Sequence, residues 1–232
     1  MTTTFITGAN KGLGYETARR LIEQGHIVLL GARDASAGTA AAGKLGARFV
    51  QIDVTDDDSV AAAAADVEHH EGWIDVLINN AGIQGPAGDP SDLTGADVLS
   101  VLDVNVVGVV RATTAFLPLL RRSADPVIIN VSSGMGLLEV THDPSRVEST
   151  YLAPAYTSSK AALVMLTTQY AKALTGIRIN AADPGYTATE FNGYSGPQTV
   201  TEGTDAIVAL ATEGRGHGSG RFVDRHGEIT WS

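Results

Sequence analysis

The sequence predicts an α/β fold, a single doubly wound domain with a parallel sheet of about seven strands and helices on both faces. Two observations predict it. Short apolar runs read continuously rather than alternating, as strands buried on both faces do, and longer helical patterns separate them. A glycine-rich turn, "TGANKGLG" at 7–14, joins the first strand to the first helix. There backbone N–H groups converge at a helix N-terminus and favour phosphate.

The elements follow in order. "TTFIT" at 3–7 predicts the first strand, and "YETARRLIEQG" a helix that ends at Gly25. "HIVLLGA" at 26–32 is the second strand, with Asp34 or Ser36 as cap of the next helix. "ARFVQIDV" at 47–54 is the third. "DDDSVAAAAADVEHH" is a helix with acids in its first turn, where the dipole favours them. "IDVLINNAG" at 74–82 is the fourth strand and its turn, followed by a long helical stretch at about 94–122. "PVIINVSS" at 126–133 is the fifth strand, and "PAYTSSKAALVMLTTQYAKALT" at 154–175 a helix opened by proline. "GIRINAADPG" at 176–185 and "SGRFVDR" at 219–225 complete the sheet. Between them, 186–218 is rich in Gly, Ser and Thr and predicts a lid-like surface excursion rather than a second domain.

Composition excludes several functions. Hydrophobic residues make up 44%, enough for a sizeable core, and charged residues 18%, too few for a disordered chain. The net charge of −10 argues against a nucleic-acid footprint, which needs a basic surface. With no cysteine there are no disulfides, thiolate metal sites or Cys nucleophiles, and no metal site is predicted. Only "MTT" precedes the first strand, so no secretory signal is read, and no apolar run is read as a membrane span. The expectation is a cytoplasmic protein without membrane contact.

Gly8 suits a tight turn, Gly12 close approach to a pyrophosphate, and Gly14 close helix–strand packing. Tyr156 and Lys160, four apart in "YTSSK", share one helix face. With "NNAG" at 79–82, "INVSS" at 129–133 and "DPG" at 183–185, these motifs resemble the classical short-chain dehydrogenase/reductase family, from Thr7 to about Thr189 in its order and close to its spacing. That family has a Rossmann fold. "TGANKGLG", "LLGARD" and the segment 139–153 look like its carbonyl reductase subgroup.

The resemblance implies an NADP(H)-dependent oxidoreductase that reduces a ketone, aldehyde or quinone to an alcohol, or the reverse. It implies catalytic roles for Asn105, Ser133, Tyr156 and Lys160. Tyr156 exchanges the proton, Lys160 favours its phenolate, Ser133 donates to the substrate oxygen, and Asn105 holds a relay water, or else satisfies buried backbone groups. Cofactor contacts fall to Gly8, Asn10, Lys11, Gly12, Leu13, Gly14, Asp53, Val54, Asn80, Ala81 and Gly82. Tyr156, Lys160, Pro184, Gly185, Thr187 and Thr189 follow further along the chain. Ala32 stands where NAD-binding relatives carry an acid, and Arg33 follows with a fork suited to a 2′-phosphate. NADP(H) is therefore expected over NAD(H). The alternatives are an epimerase or dehydratase on the same frame, or a non-catalytic nucleotide sensor. Phe191, Tyr194, Tyr151, Met135, Leu137 and Trp231 are either pocket lining or ordinary packing. The long apolar helices suit dimers or tetramers. The insertion 139–153, a solvated loop beside the Tyr156 helix, argues for a monomer.

Overall fold

The computed structural model describes residues 1–231. Among them eight strands form one sheet: β1 Thr3–Ile6, β2 Ile27–Ala32, β3 Arg48–Gln51, β4 Val76–Asn79, β5 Val127–Val131, β6 Arg178–Ala182, β7 Phe222–Asp224 and β8 Gly227–Ile229. Their order is β3-β2-β1-β4-β5-β6-β7-β8. All pairings are parallel except β7 with β8. The eighth strand is the one the sequence reading lacks, since "GEI" is too short and polar to stand out.

Among the described residues there are nine α-helical segments: α1 Gly12–Glu23, α2 Ala35–Leu45, α3 Asp57–His70, α4 Gly95–Leu102, α5 Gly108–Leu120, α6 Leu138–His142, α7 Pro154–Ala173, α8 Val200–Gly203 and α9 Asp205–Thr212. The first begins three residues earlier than predicted, inside the glycine turn. Asp34 rather than Ser36 caps α2, accepting from the Ala37 N–H at 2.8 Å. Asp56 caps α3 the same way.

Adjacent strand residues point to opposite faces, which explains the unbroken apolar runs. Phe5, Leu29, Leu77 and Ile128 pack with α3 and α5 residues such as Val67 and Phe116. Their neighbours Ile6, Leu30, Ile78 and Ile129 pack with α1 and α9 residues such as Leu21 and Ile207. That second cluster changes the reading of 186–218. Its later half is α8 and α9, and α9 buries Ala206, Ile207, Val208, Leu210 and Ala211 beneath β5 and β6. Polar flanks hide this helix, whose apolar face is only two turns long. The surface excursion is confined to the residues before Val200 and to the exposed stretch 214–218 after α9.

The 26 residues Gly95–Leu120 are long and apolar enough for a membrane span, with an 18-residue window of mean hydropathy 1.5. The reading of no span-length run is corrected on that point. Their inner face nevertheless packs as a core helix does, burying Val101, Asn105, Val109, Ala112 and Phe116. Between α4 and α5 the chain forms one π-helical turn, Asp103–Val107, where the Gly108 N–H reaches back five residues to Asp103 O. Such bulges often mark functional positions, and this one carries Asn105.

Candidate active site

β1 lies between β2 and β4, so the chain switches direction across the sheet there, and a crevice opens beyond the carboxyl ends of those strands. The glycine turn and the "NNAG" turn face each other in it. Thr7 Oγ1 accepts the N–H groups of Asn80 and Ala81, both at 3.0 Å. The Asn80 amide donates to Thr7 O and Gly8 O at 2.9 and 3.0 Å. Gly8 takes φ +62°, and a Cβ there would sit 2.9 Å from Ala81 Cα. At Gly14 a Cβ would meet Gly8 O at 2.7 Å. Thr189 faces Gly12 across the cleft. This backbone cradle at the start of α1 fits a dinucleotide diphosphate, because Gly8 and Gly14 let the two turns pack closely and backbone N–H groups converge at a helix N-terminus.

Asn10 and Leu13 sit in the same turn, partly exposed, and Gly82 lies against the Asn105 carboxamide. Lys11 extends outward, and its Nζ pairs with Glu190 Oε1 at 2.8 Å. At the end of β2, Arg33 is 78% exposed and its Nε lies 3.9 Å from Asp53 Oδ2. Burial pushes the Asp53 carboxyl up, but two hydrogen bonds from Thr55 and the charges of Arg33 and Arg111 leave it below the usual carboxylate range. Val54 is buried against Gly108. Arg33 and Asp53 thus lie together at the β2 end, while Lys11 reaches to the 184–190 rim. Each cation already faces an acid of this chain.

The second group gathers at the ends of β5, β6 and α7. Ser133 follows β5, and its Oγ accepts the Met135 N–H at 3.2 Å. Tyr156 lies in the first turn of α7, where Pro154 supplies a preset φ and no wasted donor. Burial drives its phenol well above the ordinary tyrosine value, and a hydrogen bond with Ser133 opposes that. Lys160 is 6% exposed. Its Nζ donates to Val131 O at 2.8 Å and stands 5.5 Å from the Tyr156 ring centre. Burial lowers the ammonium to about 8. The expected stabilisation of phenolate by Lys160 is not the dominant effect here; desolvation is. Asn105 is 1% exposed. Its carboxamide accepts the Ile83 N–H at 2.8 Å and donates to Ile83 O and Ser159 Oγ at 2.8 and 3.0 Å. Of the two roles weighed for Asn105, the backbone-satisfying one is visible in these contacts.

Pro184, Gly185, Thr187 and Thr189 form the opposite rim. Thr187 Oγ1 donates to Pro184 O at 2.8 Å, and Asn192 ties Thr187 O and the Thr189 N–H. The apolar candidates separate cleanly. The Phe191 ring stands 5.8 Å from the Tyr156 ring at the mouth, and Tyr151 there bonds Gln84. Met135 is half-buried beside Ser133, and Tyr194 is 69% exposed at φ +61°. Leu137 is buried with Val140, Val164 and Phe222, and Trp231 stacks on Phe222, so both are packing. The insertion 139–153 is not merely a solvated loop. It contains α6, buries Val140 and Ala153, and holds Glu148 beside the Ser133 turn. Asp183, Glu148 and Glu190 were missed as site residues. "DPG" was visible as a motif, but nothing in it marks Asp183 as buried.

A cradle at a switch point, with a tyrosine and a lysine on its rim, defines a nicotinamide-dependent oxidoreductase as a class. Comparison narrows the class. Residues 2–199 match the family described as short chain dehydrogenase, and the chain belongs to that family. Short-chain dehydrogenase anuI of Penicillium roqueforti (strain FM164) is 38% identical, over 90% of this chain and 88% of the relative. The (+)-neomenthol dehydrogenase of Capsicum annuum is 30% identical, over 97% and 96%. Among solved structures, the NADPH bound carbonyl reductase from chicken fatty liver matches with a TM-score of 0.88 at 28% identity, over 99% and 98% of the two chains. Salutaridine reductase from Papaver somniferum matches at 0.84 and 27%, over 96% and 99%.

Proposed function

We propose that this protein is an NADP(H)-dependent carbonyl reductase, interconverting a carbonyl and its alcohol. The observation that carries the proposal is the gathering of Ser133, Tyr156 and Lys160 beside the Gly8–Gly14 cradle. The cradle amides would hold the diphosphate, Arg33 and Lys11 the 2′-phosphate, and Asn80, Ala81 and Gly82 the adenosine ribose. Pro184, Gly185, Thr187 and Thr189 would hold the carboxamide end. When bound, the cofactor supplies or accepts a hydride at the carbonyl carbon.

This chain's residues handle the oxygen. Ser133 donates a hydrogen bond to it, and negative charge on it is drawn toward that donor. Tyr156 delivers the proton that completes the alcohol. Its raised phenol is held protonated at neutral pH, the form a donor needs. Lys160 brings positive charge to the same corner as the proton leaves. Phe191 and Tyr151 give the mouth an aromatic wall, which favours a planar or bulky apolar carbonyl over a small charged one. The test is NADPH oxidation, followed by absorbance, against ketones, aldehydes and quinones. Turnover of at least one bulky apolar carbonyl is expected. Tight NADPH binding without turnover of any would leave the nucleotide-sensor alternative instead.

A further inference from the structure

Asp183 is a buried carboxylic acid that the chemistry above does not use. It is 7% exposed, at the carboxyl end of β6. Its own N–H pairs with Val223 O at 2.8 Å, which fixes the backbone. Its carboxylate accepts the Gly185 N–H at 2.9 Å and also the Gly134 N–H. Gly134 follows Ser133, and Gly185 belongs to the Pro184–Thr189 rim. One side chain therefore ties the turn that carries the substrate-oxygen donor to the turn on the opposite rim. There is no room to spare: a Cβ on Gly134 would stand 2.9 Å from Asp183 Oδ2 and 3.7 Å from Glu148 Oε1.

Charged groups face Asp183 from every side. Glu148 and Arg146 come from the insertion, paired with each other at 2.8 Å. Asp224 comes from β7. Tyr156 and Lys160 come from α7, and both feel the Asp183 charge. Burial raises Asp183 and lowers Lys160, each toward its neutral form. Opposite charges so placed support each other, so each ionises more readily when the other is ionised.

We propose that Asp183 is a positioning residue of the reductase: its carboxylate braces the Ser133 turn against the Pro184–Gly185 turn and serves as the counter-charge of Lys160. This rests on the reductase reading for its meaning, but its test does not need a substrate.

Asp183→Asn keeps the size, removes the charge and leaves one acceptor oxygen where there were two. The full-length protein is labelled with 13C at lysine Cε and titrated by NMR. The Lys160 signal is assigned by its loss in Lys160→Arg, against Lys11, Lys44 and Lys172. In the wild type, burial is expected to hold the Lys160 midpoint well below an ordinary lysine, at about 8. In Asp183→Asn the midpoint is expected about half a pH unit lower or more, because a favourable neighbour is gone. Asp224→Asn, which removes a nearby charge without touching the brace, should move it by less than a third of that. A folded Asp183→Asn protein with an unmoved Lys160 midpoint overturns the proposal, whatever its turnover. Should Asp183→Asn not fold, Gly134→Ala displaces the carboxylate by crowding and keeps the acid. It is expected to lose at least tenfold in kcat with the NADPH Kd unchanged, and wild-type kcat in that variant overturns the brace. A wild type that reduces no carbonyl fails the functional reading alone, since the lysine titration still stands.

Discussion

Lys160→Met should make the folded protein more stable at neutral pH while abolishing turnover. Methionine keeps the length and apolar stem of the lysine. What it removes is an ammonium lowered from an ordinary 10.5 to about 8 by burial. At about 1.4 kcal/mol for each pH unit of that lowering, the buried charge costs about 3 kcal/mol at pH 7. Against that, Val131 O loses its 2.8 Å donor, which costs about 1–1.5 kcal/mol. The net expectation is a gain of about 2 kcal/mol. The sign with pH follows from proton uptake. Between about 8 and 10.5 the unfolded chain binds the lysine proton and the folded protein does not, so wild-type stability from this group rises with pH over that window. Methionine has no such dependence. The gap between variant and wild type should therefore be widest at pH 7 and shrink toward pH 10, with reversed sign once only the lost hydrogen bond remains. Urea unfolding of both proteins at pH 7, 8, 9 and 10 reads this directly. A variant less stable than wild type at pH 7, or a gap that does not change with pH, would refute the reasoning. Activity sites often sacrifice stability in this way.

Tyr156→Phe should keep the fold and NADPH affinity and lose about 10²–10⁴ in kcat, since only the transferable proton goes; kcat within fivefold of wild type would reject Tyr156 as donor. Arg33→Ala should weaken NADPH by roughly tenfold and NADH by less, because the guanidinium is exposed beside the β2 end and a 2′-phosphate is the group it can pair with; calorimetry showing equal losses would count against the NADP preference. Phe191→Ala should raise KM for bulky aromatic carbonyls more than for small ones, as its ring stands 5.8 Å from Tyr156; a uniform change would place Phe191 outside the substrate's reach. Leu99 on α4 and Met165 on α7 stay 68% and 59% exposed. If the 139–153 insertion is what keeps the chain monomeric, deleting 140–152 should double the mass seen by light scattering, and an unchanged mass would remove that explanation.

Most of the scaffold was legible because its signals are local. Phe5 and Ile6, or Leu77 and Ile78, must be apolar together if a strand is covered on both faces, and the chain writes that as an unbroken run. Gly8 and Gly14 are legible for the same reason: their requirements come from chain neighbours and one facing turn. Tyr156 and Lys160 are set by a single helical period. Apart from the span-length stretch 95–120, which is a matter of local composition, the readings that the sequence left open or wrong depend on distant partners. The α9 face is short and polar at both ends, and only the underside of β5 and β6 makes it core. Trp231 reads equally as pocket lining or packing until β8 folds back and lays it on Phe222 at 5.5 Å. Lys11 reads as a free cation until residue 190 brings its carboxylate within 2.8 Å.

Asp183 shows why such residues escape a reading by motif. In "DPG" it is a turn-former like any aspartate before proline and glycine. Its burial is created by three segments far apart in the chain: the Gly134 turn, the insertion around Glu148, and β7. The same three-way contact sets its electrostatics, since the groups that shift it are the groups that bury it. Side chains that bind cofactor or transfer protons must occupy fixed places in a motif. Those that hold them in place need only reach the right spot, and the insertion at 139–153 gives this chain its own way of packing that spot.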